Sequence, residues 1–243
     1  MGVFHFKKFD VVNERSAMKV NTDGVLLGAS MTISPADRMF LDVGTGTGTI
    51  ALMAAQRAEA LGNEFQIQAI DIDEVSVEEA RANFSNSPWG NRLAAVESSL
   101  EDFSSALEET ASFDLIFSNP PYFEDSLLAP EQRRSNARHT STGLSYRELL
   151  EFASKHLSES GRISIVLPAE QEQPLCRHAR MCGLHLFRIV RVKTVPRKNS
   201  VRIIAEFGRT RCTEAEEVLL TIQNEGKYTE EYLSLTHDFY LFA

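Results

Sequence analysis

The stretch Met39-Phe40-Leu41-Asp42-Val43-Gly44-Thr45-Gly46-Thr47-Gly48-Thr49-Ile50-Ala51 constrains the fold more than any other part of the chain. It reads as a short apolar strand, a turn with glycine at every second position, and a helix continuing through Leu52, Ala54 and Ala55. Strand-then-helix alternation of this kind recurs through Leu167, the pattern of a parallel, doubly wound α/β sheet. Glycine lets the backbone take positive φ and approach a ligand closely. The dinucleotide fingerprint is G-x-G-x-x-G with a helix N-terminus under the pyrophosphate. Here the spacing is G-x-G-x-G, Thr49 stands where the third glycine would fall, and Asp42 precedes the turn. A tight structural turn is the other use of such a segment.

Three further strand ends carry chemistry-bearing residues. Phe65–Ile70 runs into Asp71-Ile72-Asp73-Glu74. Asp71, one crossover helix after the glycine turn, is placed to accept the two hydroxyls of a ribose, whereas Asp73 and Glu74 suit the positive N-terminus of the next helix. Glu101-Asp102-Phe103 follows the strand-like Leu93–Val96. There, Asp102 either opens a solvated helix or faces the adenine amine of a cofactor. Phe113–Phe117 is followed by Asn119-Pro120-Pro121-Tyr122. Two prolines can neither extend a helix nor donate to a ladder, so the strand stops there and presents an amide and an aromatic ring at its end. The Asn119 side-chain oxygen and the Pro120 carbonyl can each accept one N–H of a planar amine, and Tyr122 can stack on the attached ring. A rigid turn with a half-buried tyrosine is the alternative.

Taken in order, Leu41–Gly48, Asp71, Asp102 and Asn119–Tyr122 resemble the class I S-adenosylmethionine-dependent methyltransferases that modify amino groups. The ends narrow the resemblance. Phe6–Val11 with Ala17–Gly28, and the tail Tyr228–Leu241, are similar to the bacterial tRNA (adenine-N6)-methyltransferases acting beside the anticodon of valine tRNA. The resemblance implies one methyltransferase domain over residues 1–243, with 1–37 as an N-terminal extension contributing to the substrate and cofactor cleft. It implies a doubly wound, mostly parallel seven-stranded sheet whose last strand enters antiparallel, consistent with the pair Leu186–Val190 and Val201–Phe207. S-adenosylmethionine is expected on Asp42, Gly44, Gly46, Gly48, Asp71, Asp102 and Asn119. Asn119, Pro120 and Tyr122 are expected to act on the adenine N6, with Tyr122 also binding the base, and no metal is required.

A net charge of −9 opposes a simple nucleic-acid reading, because phosphate neutralisation supplies most non-specific affinity. The charge is uneven, however. Arg188, Arg191, Lys193, Arg197, Lys198, Arg202 and Arg209 cluster against Glu206, whereas from Thr213 onward seven acidic residues stand against Lys227. Arg133, Arg134 and Arg138 with His139 form a second group, and Lys7, Lys8, Arg15 and Lys19 a third. Each is either a solvated face or part of a local rim that binds RNA, since salt screens charges beyond about 10 Å. Arg133, Arg134, Arg138, Arg197 and Lys198 are the expected tRNA contacts. No apolar run is long enough to span a membrane, and Cys176, Cys182 and Cys212 lack paired spacing. A cytoplasmic, monomeric enzyme is expected. The rival activities are methylation of a protein glutamine amide or of guanine N2 in RNA, and the rival class is a non-catalytic nucleotide-binding module.

Overall fold

The computed structural model describes residues 2–16, 18–108, 110–121 and 144–242. After a short antiparallel hairpin, β1 (Val3–His5) and β2 (Asp10–Val12), comes α1 (Thr22–Ser30), opened by the Asn21 side chain accepting from the Gly24 amide. The alternating part then begins: β3 (Met39–Val43), α2 (Thr49–Ala60), β4 (Gln66–Asp71), α3 (Glu74–Ser85), β5 (Leu93–Glu97), α4 (Leu100–Ala106) and β6 (Phe113–Ser118). Beyond Pro121 the described chain resumes with α5 (Tyr146–His156), β7 (Leu157–Pro168), α6 (Glu172–Met181), β8 (His185–Lys193), β9 (Arg202–Gly208) and β10 (Glu216–Thr221). A two-stranded turn, β11 (Gln223–Asn224) with β12 (Lys227–Tyr228), and α7 (Glu230–Thr236) complete it.

The main sheet has eight strands in the order β10-β8-β9-β7-β6-β3-β4-β5. Only β9 runs against the others, pairing antiparallel with β7 on one side and β8 on the other. The expected seven strands and their antiparallel member are present, and β10 adds an eighth, parallel to β8. Its sequence, acidic at the start and apolar only toward the end, reflects an edge strand with a single neighbour.

Side-chain alternation divides the core in two. Phe40, Leu115, Phe117 and Ile204 face the layer built by α1, α2, α3, the N-terminal hairpin and the C-terminal residues Tyr232, Phe239 and Tyr240. Leu41, Val43, Ile163, Ile203 and Phe207 face α5 and α6. The two ends of the chain meet: Phe6 bridges Tyr240, and the rings of Phe4, Phe6, Tyr240 and Phe242 lie against one another. No helix among the described residues is long and apolar enough to cross a membrane.

For function the important point is the reversal of strand order. The chain moves outward from β3 through β4 to β5, then returns to place β6 on the other side of β3. The C-terminal ends of β3 and β6 flank that reversal, where open α/β sheets form their ligand crevice.

Candidate active site

The turn after β3 is held by its neighbour strand. The amides of Gly44 and Thr45 both donate to the Ile70 carbonyl, and the Gly48 amide returns to Thr45. Gly44, Gly46 and Gly48 all have positive φ, at 71°, 55° and 80°. Two of them are glycine for different spatial reasons. A Cβ on Gly48 would sit 2.4 Å from the Phe84 ring, so α2 and α3 could not pack as they do. A Cβ on Gly46 would meet nothing within 4 Å, because that side of the turn faces open space.

That space is a cleft of about 370 Å³ across the ends of β3, β4, β5 and β6. Val43, Gly44 and Gly46 form its floor, Asp71 and Ile72 one wall, Ser98 and Leu100 the next, and Asn119 and Pro121 the far side. A smaller space of about 40 Å³ continues it between the glycine turn and residues 18–21, and Asn119 lines both. Asp71 accepts from the Gly46 amide at 2.8 Å and from the Asp73 amide at 3.0 Å, so its carboxylate is oriented by the turn it faces. Asn119 is 8 % exposed, and its Nδ2 lies 3.5 Å from Oδ1 of Asn21, the α1 cap. Ser118 ties the two central strand ends together by donating to the Val43 carbonyl at 2.7 Å.

Asp42 lies behind the turn rather than in the cleft. It is fully buried, and Thr45 donates to its Oδ2 at 2.7 Å, while Oδ1 has no hydrogen-bond partner among the described residues. Burial is the main reason its pKa is raised to about 7. The Asp71 charge adds to the rise, against the Thr45 hydroxyl and the Ala51 amide.

A glycine turn, an acidic strand end and an Asn-Pro-Pro strand end around one crevice suit a nucleoside-bearing cofactor, and the comparison with known proteins gives the family. Residues 16–184 match the Methyltransferase small domain. The chain belongs to that family. Within the methyltransferases it is 42 % identical to the tRNA1(Val) (adenine(37)-N6)-methyltransferase of Parabacteroides distasonis, over 98 % of this chain and 97 % of the relative. It is likewise 42 % identical to the protein of the same name from Phocaeicola vulgatus, again over 98 % and 97 %. Among solved structures, a predicted O-methyltransferase from Agrobacterium tumefaciens shares the fold with a TM-score of 0.64 at 17 % identity, over 88 % of this chain and 95 % of that one.

Of the residues expected from the sequence, Gly44, Gly46, Asp71 and Asn119 line this one cleft. Gly48 is packed under Phe84, and Pro120 is buried. Asp102 is on the exposed face of α4, where its amide donates to Ser99 Oγ and its carboxylate accepts from the same hydroxyl at 2.6 Å. That reciprocal cap draws the side chain toward the helix start, and Ser98 and Leu100 take the cleft wall instead. Arg197 and Lys198 are exposed on the loop between β8 and β9. The pairing of Pro168 with Arg202 puts this loop at the same sheet edge as the cleft. Tyr122, Arg133, Arg134, Arg138 and His139 lie outside the described residues.

Sequence reasoning did not single out Met18, Ile72, Ser98, Leu100 or Leu144 as cleft residues. Ile72 had a usable signal, an apolar residue between two aspartates at a strand end, which here leaves it 63 % exposed. Met18 falls within the 1–37 extension expected to contribute to the cleft, though it was not named there for that role, whereas Leu144 had no signal, since it reaches the cleft from a distant segment.

Proposed function

We propose that this chain methylates the exocyclic N6 of adenine 37 in tRNA1(Val), using S-adenosylmethionine. The observation that carries the reading is the position of Asn119, at the end of β6, on the wall shared by the main cleft and the space over the glycine turn. Full-length relatives of that printed activity at 42 % identity support the substrate.

The residues present fit the cofactor. The cleft volume of about 370 Å³ is within the roughly 300–1,000 Å³ of small-molecule sites. Gly46 leaves the turn open on the ligand side, where a Cβ would intrude. Asp71 would take the ribose hydroxyls on the lone pairs its amide donors leave, and Ile72 and Leu100 offer apolar surface for the flat base. Buried Asp42 lies behind the turn, and a cationic ligand bound there would favour its ionised form. When bound, S-adenosylmethionine supplies an electrophilic methyl group.

The chain's own part is positioning. The adenine amine is a weak nucleophile because its lone pair is delocalised into the ring. Acceptance of its two N–H groups by Asn119 Oδ1 and the Pro120 carbonyl localises that pair, and fixed geometry removes the entropic cost of alignment. The amine proton leaves after nitrogen has gained its fourth bond, so no strong base is needed. The target base has to leave its stack to reach a strand end, and Tyr122 gives it a surface. Arg133, Arg134, Arg138, Arg197 and Lys198 would hold the phosphate backbone.

Incubating the protein with S-adenosylmethionine and unmodified tRNA1(Val), followed by nucleoside mass spectrometry, tests the reading. N6-methyladenosine that disappears when adenine 37 is replaced is the expected product. N2-methylguanosine, or methylated peptide glutamine with unmodified RNA, would overturn it.

A further inference from the structure

Residues 13–16 lie in no strand or helix that would fix them, and residues 18–21, close by in sequence, wall the smaller space. Its anchor is a side chain on α3. The successive backbone amides of Glu14, Arg15 and Ser16 donate to the Glu79 carboxylate at 2.9, 2.7 and 3.0 Å, and the Ser16 hydroxyl donates to it as well. Three consecutive N–H groups can meet one carboxylate only if the backbone curls around it, so this contact sets the path of the segment and not merely its distance from α3. Glu79 is 3 % exposed. Burial pushes its pKa up, but the Ser16 hydroxyl and the amides more than offset that, leaving it below the usual carboxylate value and ionised at neutral pH. One helical turn further on, Asn83 accepts from the Val12 amide and donates to the carbonyls of Val12 and Thr47, each at 2.9 Å. These two residues of α3 therefore fasten the N-terminal segment to the glycine turn. Glu79 itself lines neither space, and the proposed chemistry makes no use of it.

We propose that Glu79 is a positioning residue that latches residues 14–16 to α3, so that residues 18–21 close one side of the cofactor cleft. The proposal rests on the cofactor reading above and deepens it.

The test compares wild type with Glu79→Ala, Glu79→Gln and Ser16→Ala by two readouts: calorimetric titration with S-adenosylhomocysteine, and the rate of tryptic cleavage after Arg15 and Lys19, which requires local opening. Glu79→Ala should weaken S-adenosylhomocysteine binding about tenfold, the scale of lost hydrogen bonds to a charged group. It should also speed cleavage, while turnover at saturating cofactor stays near wild type. Glu79→Gln keeps an acceptor oxygen for two amides and should recover most of both readouts. Ser16→Ala leaves α3 untouched and should move both in the same direction by less, so a poorly folding Glu79→Ala would not shield the proposal. Equal affinity and equal cleavage across the set would overturn the latch, as would a fall in turnover matching the fall in affinity with no rescue by glutamine. Failure of the wild-type protein to bind S-adenosylhomocysteine would instead overturn the cofactor reading, and this proposal with it.

Discussion

Asp42 is the residue whose environment is hardest to reconcile with stability alone. A carboxylate with no exposure and one unpartnered oxygen destabilises the cofactor-free fold once it ionises. Its folded pKa, about 7, is above its ordinary value of 3.8. The folded state therefore holds the proton more tightly than the unfolded chain. The stability this contributes is complete below pH 3.8 and is lost as pH rises through about 7. Asp42→Asn should consequently raise the melting temperature of the cofactor-free protein at pH 8 by several degrees, on the scale of ~2–4 °C per kcal/mol for a chain of this size. At pH 4 the gain should vanish. Melting curves at both pH values check this, and a gain of equal size at each would show that ionisation is not the cause. At Asn119 the expected cost is kinetic. Asn119→Ala should lose far more turnover than affinity for S-adenosylhomocysteine, because its main interaction is directed at the substrate amine. Near wild-type turnover would refute the role assigned to its side-chain oxygen.

At the scale of elements, the glycine turn shows how one motif serves packing and binding at once. Gly48→Ala pushes a methyl group into the Phe84 ring and adds left-handed strain at φ 80°. A loss of about 2–4 kcal/mol is expected from overpacking and strain together. Gly46→Ala incurs the strain but meets no neighbour within 4 Å. It should lower the melting temperature less than Gly48→Ala and weaken S-adenosylhomocysteine binding more. Denaturant midpoints beside calorimetry on the two variants test that crossing of effects, and variants that rank the same way in both measurements would remove the distinction. Strands β3, β4 and β6 were legible because each is an apolar run stopped by a local signal: glycine, aspartate or paired prolines. β1, β2 and β10 were not. Two are three residues long, and the third is an edge strand, so none displays the side-chain period of a buried strand.

For the whole molecule the open question is how a chain of net charge −9 holds an RNA. The loop bearing Arg197 and Lys198 sits at the cleft edge of the sheet, while Asp23 pairs with Arg202 beside it at 2.8 Å. Arg197→Glu/Lys198→Glu should therefore weaken tRNA binding and flatten its salt dependence by roughly one unit of slope per lost phosphate contact. Cofactor affinity should be unchanged. Filter binding over a salt series measures this, and an unaltered slope would leave the loop as solvated surface. The sequence by itself determined that strands end at Gly44, Asp71 and Asn119, since those breaks depend on backbone freedom, helix capping and proline chemistry within a few residues. It also carried the family, through the order of those ends. Only the tertiary structure decided that the three ends share a crevice, because the return of β6 to the side of β3 is set by packing on both sheet faces. The same holds for Ser98 and Leu100 on the wall in place of Asp102, and for Glu79 and Asn83 clasping the N-terminal segment. Such contacts join residues more than sixty positions apart, and no local periodicity records them.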